Sequence, residues 1–219
     1  MSILDELNNI MYYISGRGKV IARNHQHFKE LIRKRIEKYG PHCSLNDIDL
    51  RHITYMGFLF YELDFDGAIS EWDVSHVRDM SGMFAYSKFD GDISQWDVSN
   101  VKDMGCMFLN SKFNGDISRW NVSRVKYMPY VFYKSEFNGD ISKWNVSNVV
   151  TMHGMFERSK FNGDISNWDV SKVKDMYSMF LYSKLNQDIS CWKINRDCDT
   201  NLMFSCCPIK EEHKPKTLR

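Results

Sequence analysis

The chain has 219 residues, of which 29 are Lys or Arg and 28 are Asp or Glu, so its formal charge is +1. A charge this close to zero gives no reason to expect a polyanion or an anionic membrane as partner. No apolar stretch approaches the ~20 residues that a membrane-spanning helix needs. We therefore expect neither a nucleic-acid partner nor a membrane partner.

The amino-terminal segment has a helical pattern. Leu4, Leu7, Met11 and Ile14 recur at helical spacing, which predicts a helix over residues 3–14. The segment has acidic residues where a secretory signal needs basic ones, and no small-residue cleavage site follows. These features favour a cytoplasmic location. The alternative is the cell surface, or secretion by a non-standard route.

A second helix is predicted between Asn24, a good N-terminal capping residue, and the helix-stopping pair Gly40-Pro41. Its basic residues are expected to form a solvated face, with an acid-binding or RNA-binding face as the minor alternative. Residues 1–44 are therefore predicted to be a helical cap that covers one end of the structure that follows. The apolar stripe of this helix consists of Phe28, Leu31, Ile32 and Ile36.

From residue 45 onward, a unit of 24 residues repeats without a single insertion or deletion. A fixed period of this length is typical of stacked repeats, in which each unit contacts only its neighbours. Two aromatic series show the period, namely Trp72, Trp96, Trp120, Trp144, Trp168 and Trp192, and Phe84, Phe108, Phe132, Phe156, Phe180 and Phe204.

Each unit opens with leucine-rich-repeat spacing, in which Trp and Val replace Leu. Trp120 and Val122 lie two residues apart, so we expect both to point from a short strand into the core. Apolar residues at steps of three and four then predict a helix or 3₁₀ turn on the back. The predicted fold class is α/β, a leucine-rich-repeat-type solenoid of about seven repeats with an N-terminal helical cap.

Two polar columns lie between successive units. Gly115 and its equivalents are expected to adopt a positive φ. Asp116 and its equivalents are expected to cap turns by accepting bonds from nearby backbone N–H groups. A ladder of calcium sites is the alternative for the Asp column, but it requires several oxygen ligands converging on one ion.

The solenoid is predicted to span residues 45–204, with a degenerate first unit. Its last unit places the polar residues Gln187, Asp197 and Thr200 at core positions, which is typical of a terminal cap. Such capped ends predict a monomer. Residues 205–219 are polar and charged, and we expect most of this tail to be disordered.

The cysteines and histidines give little indication of chemistry. The six cysteines do not follow the repeat, so no disulfide framework is expected. The histidines and cysteines also lack the spacing of metal ligands. The polar columns are multiplied, whereas an active site needs one asymmetric constellation. We therefore expect no metal, no cofactor and no enzyme activity. An enzyme that uses the amino-terminal segment is the weakest alternative.

The consensus Phe-Asn-Gly-Asp-Ile-Ser-x-Trp-Asp-Val-Ser-Asn-Val-x-Asp-Met-x-x-Met-Phe resembles the repeat of the BspA-like leucine-rich repeat family, which is abundant in bacterial surface proteins. Residues 97–100, 145–148 and 169–173 match it closely, and the resemblance covers roughly residues 45–204. It implies a repeat solenoid and a role in adhesion or other protein binding.

Positions that vary between units are the candidate binding residues, because a partner has no reason to share the 24-residue period. Arg119 and Lys143 belong to the variable column before each Trp, and Arg124 belongs to a second one. Asn121 and Asn145 interrupt a column of Asp residues, which leaves a basic centre flanked by acids. The predicted partner-binding residues are Gln95, Asp97, Arg119, Asn121, Arg124, Lys143 and Asn145.

The sequence therefore predicts a non-enzymatic module that binds another protein through an exposed strand face of the solenoid. An exported or surface adhesin that contacts a host is the alternative. A sheet face that is only solvated, without any partner, is the structural alternative.

Overall fold

The computed structural model describes residues 18–218. Within this range the helices and strands are β1 (Val20–Ile21), α1 (His25–Tyr39), β2 (Ile48–Asp49) and two 3₁₀ turns, Glu211–His213 and Lys216–Leu218. β1 and β2 pair in parallel. The helix predicted over residues 3–14 lies outside the described residues.

Helix α1 confirms the predicted second helix and its ends. The Asn24 side chain accepts a hydrogen bond from the His27 backbone N–H at 2.9 Å, which satisfies one of the unpaired donors of the first turn. At the other end, Gly40 has a φ of 84°, and its N–H donates to the Ile36 carbonyl.

The buried face of α1 packs on the beginning of the repeat region. The Phe28 ring lies 5.1 Å from the Trp72 ring, measured between centroids, and Arg35 pairs with Asp47 at 2.6 Å. The predicted degenerate first unit is confirmed, because its core positions are all buried. These positions are Leu45, Ile48, Leu50, Ile53, Met56, Leu59 and Phe60.

Each repeat stacks on the next through parallel bridges between residues 24 positions apart. The bridges link Tyr55, Asp79, Asp103, Tyr127, Thr151, Asp175 and Asp199 in series. We call the nine residues that start at each bridge residue the ladder segment of that repeat, for example residues 79–87.

In the ladder segments, backbone N–H groups alternate between two kinds of acceptor. The N–H of Met80 donates to the Asp103 carbonyl of the next repeat at 3.0 Å, and the N–H of Gly82 donates to Gly105 at 2.7 Å. The N–H of Met83, which follows Gly82, donates within the repeat to the Met80 carbonyl at 3.2 Å, and the N–H of Phe84 again donates to the next repeat, at Met107. This alternation uses the polar backbone groups for both turns and stacking, so the irregular chain can be buried.

The back segment, predicted as a helix or 3₁₀ turn, therefore forms consecutive turns and no α-helix. An α-helix would direct its N–H groups to its own carbonyls and leave none to bond the next repeat. The turns instead require left-handed residues at two positions in every repeat. The first position contains Phe58, Gly82, Cys106, Tyr130, Gly154, Ser178 and Leu202, and the second contains Glu62, Tyr86, Asn110, Lys134, Arg158, Tyr182 and Cys206.

The predicted strand through Trp and Val was wrong. The chain here forms two turns, closed by the N–H of Trp120 on the Ile117 carbonyl at 3.2 Å and by Val125 on Val122 at 2.9 Å. The core position of Trp120 is confirmed, because only 3% of the residue is exposed. Its indole N–H donates to the Ile93 carbonyl of the preceding repeat at 3.1 Å, so the Trp column also ties neighbouring repeats together.

The glycine column was assigned the wrong role. Gly115 does not have a positive φ, since the left-handed glycines within residues 18–218 are Gly18, Gly40, Gly82 and Gly154. A Cβ atom on Gly115 would lie 2.9 Å from Cε2 of the Phe113 ring, which folds back over it. Glycine is needed at this position to admit a buried ring, rather than to permit an unusual backbone angle.

The prediction of a disordered tail was also wrong for residues 205–218. Ile209 is 6% exposed, Pro215 is buried, and the His213 carbonyl accepts the N–H of Ile189 at 3.0 Å. The last repeat would otherwise present its apolar end to water, and this segment covers it. Its polar composition concealed the two apolar residues that anchor it.

Candidate functional site

The basic centre consists of Arg119, Arg124 and Lys143, and all three side chains are exposed. Arg119 lies in the turn between Ile117 and Trp120. Lys143 occupies the same position one repeat later. The flanking Ile and Trp residues point into the core, so the residue between them faces solvent. Gln95 holds this position in the preceding repeat and is exposed as well.

The column after each Trp builds a turn with its side-chain oxygen. Asp97 accepts the Ser99 N–H at 3.0 Å, and Asn121 and Asn145 accept the equivalent Ser N–H groups at 3.2 and 3.1 Å. Asp and Asn serve this turn equally, because each offers an oxygen acceptor. The change from Asp to Asn in two repeats therefore removes two negative charges while it preserves the backbone.

The carboxylates before these turns confirm the turn-capping prediction. Asp116 and Asp140 each accept the N–H of a Ser two residues later at 2.9 Å. That backbone bond is the main cause of the lowered pKa of both carboxyls, and Arg119 and Lys143 lower it further. Each cation of this column thus lies near one carboxylate, which compensates part of its charge.

Arg124 is more constrained than its variable column suggested. Its guanidinium donates to the side-chain oxygen of Asn100, whose amide in turn donates to the Ser75 carbonyl at 2.7 Å. The same arrangement recurs two repeats later, where Lys172 donates to Asn148 at 2.9 Å. The column therefore bridges adjacent repeats, and this bridging fixes the position of the Arg124 charge.

The bridge column reinforces the charge pattern. It carries Asp79, Asp103 and Asp175, but Tyr127 and Thr151 replace Asp in the two central repeats. Carboxylates are thus lost from two columns at once. As a result, residues 117–164 contain seven Lys and Arg against four Asp and Glu, a formal charge of +3. Residues 45–92 contain three against ten, a formal charge of −7.

The sequence analysis missed a second surface, which carries exposed aromatic rings. Apart from Tyr39, the large hydrophobic residues exposed in residues 18–218 all lie in ladder segments. A partial signal for them is the variable column that contains Phe58 and Leu202, where seven repeats use six different residue types. The exposed residues are Tyr55, Phe58, Tyr61, Tyr86, Tyr127, Tyr182 and Leu202.

A family model described as "Mycoplasma protein of unknown function, DUF285" matches the chain twice, over residues 32–136 and 110–214. Together the two matches run from within α1 to the carboxyl-terminal segment. The chain belongs to the DUF285 family. The double match agrees with its repeat architecture. No curated protein and no solved structure matches this DUF285 chain. In residues 18–218 it has no helix with the length and apolarity needed to cross a bilayer.

Proposed function

We propose that this DUF285 protein is a non-enzymatic module that binds another protein through its basic centre. The supporting observation is the concerted loss of carboxylates from two columns in residues 117–164, while the buried columns there keep their residues except at Val131, which replaces Met. Packing alone gives no reason for that loss, because Asp and Asn cap the same turn. A partner that carries acidic residues would explain the loss of carboxylates, since complementary charge favours both encounter and register.

The size of the basic centre favours a short acidic protein segment over a long polyanion. Two repeats span roughly 10 Å at the ~4.8 Å spacing of stacked strands. A nucleic acid that followed the stack beyond this length would meet the carboxylates of residues 45–92, where the formal charge is −7. A segment with two or three carboxylates fits the basic centre without that repulsion.

We also propose that the stack is a leucine-rich-repeat-type solenoid of the BspA-like kind. The fixed 24-residue period, the parallel bridges and the double DUF285 match support this assignment. A monomer is proposed as the active form, because α1 and residues 205–218 cover the two ends of the stack. The partner is then either a cytoplasmic protein or, for a surface protein of this kind, a host protein.

The test measures binding of a fluorescein-labelled peptide of alternating Ser and Glu. The same variants are compared for the protein partners that they recover in a pull-down. The double variant Arg119→Glu, Arg124→Glu should weaken binding more than tenfold, or ~1.4 kcal/mol. Its melting temperature should shift by only a few degrees, since both side chains are exposed and the only bond lost is the exposed one from Arg124 to Asn100. The variant Asn121→Asp, Asn145→Asp should act in the same direction with its turns intact.

A matched control is Lys184→Glu, Lys210→Glu, which changes the net charge equally at two exposed positions outside the central repeats. It should alter binding less than twofold. Lys214 is unsuitable because it pairs with Glu211 and lies 5.7 Å from the Phe204 ring centroid. If Lys184→Glu, Lys210→Glu weakened binding as much as Arg119→Glu, Arg124→Glu does, only net charge would matter, and the proposal would be rejected.

A further inference from the structure

Three of the aromatic rings exposed in the first two repeats lie together within the most acidic part of the chain. The Tyr61 ring contacts both Phe58 and Tyr86, with centroids 5.9 and 5.7 Å apart. Asp79 bridges to Tyr55 at the start of the same ladder segments. We call this surface the acidic aromatic patch; it consists of Tyr55, Phe58, Tyr61, Glu62, Asp79 and Tyr86.

The backbone holds the patch in a fixed arrangement. A Cβ atom on Gly82 would lie 2.3 Å from Cε1 of Phe58, so the Phe58 ring rests directly on the glycine of the next repeat. The N–H of Phe58 donates to the Ser81 carbonyl and that of Glu62 to Ala85, at 2.9 and 3.1 Å. A partner would therefore meet rings that are already ordered, which lowers the entropy cost of binding.

The chain itself shows what these ring faces accept. Tyr182 occupies the same column as Tyr86, and the Arg158 guanidinium lies over its ring at 4.7 Å from the centroid. Arg158 comes from that column one repeat earlier. At Tyr86 the residue in the equivalent place is Glu62, so the chain supplies a carboxylate beside the ring where the later repeat supplies a cation.

The carboxylates of the patch are available to a cation. Asp79 accepts bonds from the Ser81 N–H and hydroxyl at 2.9 and 2.7 Å, but forms no ion pair with any Lys or Arg in residues 18–218. The pKa of Tyr61 is raised, first by its hydrogen bond with Glu62. Burial and then the charge of Asp79 raise the pKa of Tyr55. Both shifts agree with a negative potential at the rings.

We propose that the acidic aromatic patch binds a Lys- or Arg-bearing segment of a protein partner. A guanidinium from that segment would lie over Tyr86 as Arg158 lies over Tyr182, with Glu62 as its counter-charge, and a second cation of the segment would meet Asp79 beside Tyr55. The exposed faces of Phe58 and Tyr61 would receive the apolar part of the segment, as aromatic side chains commonly do at interface centres. The surface is separate from the basic centre and would take the opposite charge.

The test uses a fluorescein-labelled peptide of alternating Arg and Ser, measured by fluorescence anisotropy at low salt. The variant Phe58→Ala, Tyr86→Ala should weaken binding at least tenfold. The matched control is Leu202→Ala, Tyr182→Ala in the same two left-handed columns. The exposed fractions are 44% and 47% in the first pair and 49% and 50% in the second. Residues 175–204, which contain the control pair, hold three Lys and Arg against four Asp and Glu, a formal charge of −1. Because these residues lack the acidic surroundings of the patch, the control variant should weaken peptide binding less than twofold.

The role of charge is tested by the variant Glu62→Gln, Asp79→Asn, which keeps the side-chain oxygens that accept hydrogen bonds. This variant should also weaken peptide binding by at least tenfold. A labelled spermine probe should bind weakly and should not respond to Phe58→Ala, Tyr86→Ala. The proposal is overturned if the two aromatic double variants weaken peptide binding equally. It is overturned as well if spermine binding depends on the rings as peptide binding does. It is also overturned if light scattering shows that a second copy, rather than the peptide, occupies the patch.

This inference can fail independently of the proposed function. The variant Arg119→Glu, Arg124→Glu should leave binding of the Arg-Ser peptide unchanged within twofold, because it alters only the basic centre. Conversely, Phe58→Ala, Tyr86→Ala should leave binding of the Ser-Glu peptide unchanged. A variant that abolished both would show that one surface binds both peptides, and the separate patch would be rejected.

Discussion

Residues 45–92 and residues 117–164 are two pairs of repeats with interiors in the same register and opposite exteriors. Both bury apolar residues at the same positions, although Leu and Ile replace Trp, Val and Met in the degenerate first unit. Their formal charges are −7 and +3, and their exposed rings differ in number and position. The comparison shows that the buried columns determine the backbone. The exposed columns can then change without affecting it, so function in this chain is to be sought where the repeat is broken.

The largest effect expected is the loss of a core Trp, and it should be the same in both pairs. Trp72 and Trp144 are 4% and 3% exposed, and their indole N–H groups donate to carbonyls of the preceding repeat at 2.8 and 3.0 Å. Trp72→Ala and Trp144→Ala should each lower the free energy of unfolding by ~3–5 kcal/mol, measured by urea denaturation. A loss below about 1 kcal/mol at either site would show that the interiors are not equivalent.

The second effect concerns the glycines that lie under aromatic rings, one in each pair. Gly82 and Gly154 have φ values of 61° and 55°, and an added Cβ would meet Phe58 or Tyr130 at 2.3 or 2.4 Å. Gly82→Ala and Gly154→Ala should each cost ~1–3 kcal/mol, from backbone strain and a displaced ring.

Gly18→Ala separates these two causes. Gly18 also has a positive φ, 75°, but nothing lies within 4 Å of the Cβ position, so only the backbone strain remains. Its cost should be about 1 kcal/mol or less in thermal melts. If Gly18→Ala costs as much as the other two, the rings move freely, and the acidic aromatic patch is less ordered than its contacts indicate.

The interior was predictable from the sequence because packing repeats every 24 residues. The burial of Trp120 and of the degenerate first unit followed directly from that register. The backbone path was not predictable. Steps of three and four residues suit a helix, and they equally suit the consecutive turns that the structure forms. The left-handed columns contain Phe, Cys and Tyr, residues whose chemistry gives no indication of a positive φ.

The candidate site was predictable only in part. The variable column before Trp identified exposed residues, among them Arg119 and Lys143. The second variable column was predicted to bind a partner, and its contact within the chain was not foreseen: Arg124 bonds to Asn100 across the repeat boundary. Sequence variation shows that a position is not needed for packing. It does not show whether the side chain contacts the next repeat, since that depends on how the turns place it.

The smallest effect concerns pH, and it tests whether the bridge column differs from the column after Trp. Burial, followed by the charge of Asp79, raises the pKa of Asp103, although the Gly105 N–H opposes this. Hydrogen bonds from Ser75 lower the pKa of Asp73. Folded Asp103 therefore binds its proton more readily than the unfolded chain does, and its stabilising contribution is lost as pH rises through its raised pKa. Asp73 contributes stability above its unfolded value of about 4, and that stability is lost as pH falls.

Asp103→Asn should therefore raise the melting temperature at pH 7, and Asp73→Asn should lower it, each by at most about 2–3 °C because both carboxyls are partly solvated. Asn keeps the oxygen that caps the turn in both cases, so only the charge changes. Circular-dichroism melts between pH 3 and pH 7 separate the two variants, since their differences from the unaltered protein should have opposite signs at neutral pH. If both variants move in the same direction, the two columns have equivalent surroundings. In that case a carboxylate would be no more costly in the bridge column than in the column after Trp. The replacement of Asp by Tyr127 and Thr151 would then stabilise the fold no more than its replacement by Asn121 and Asn145.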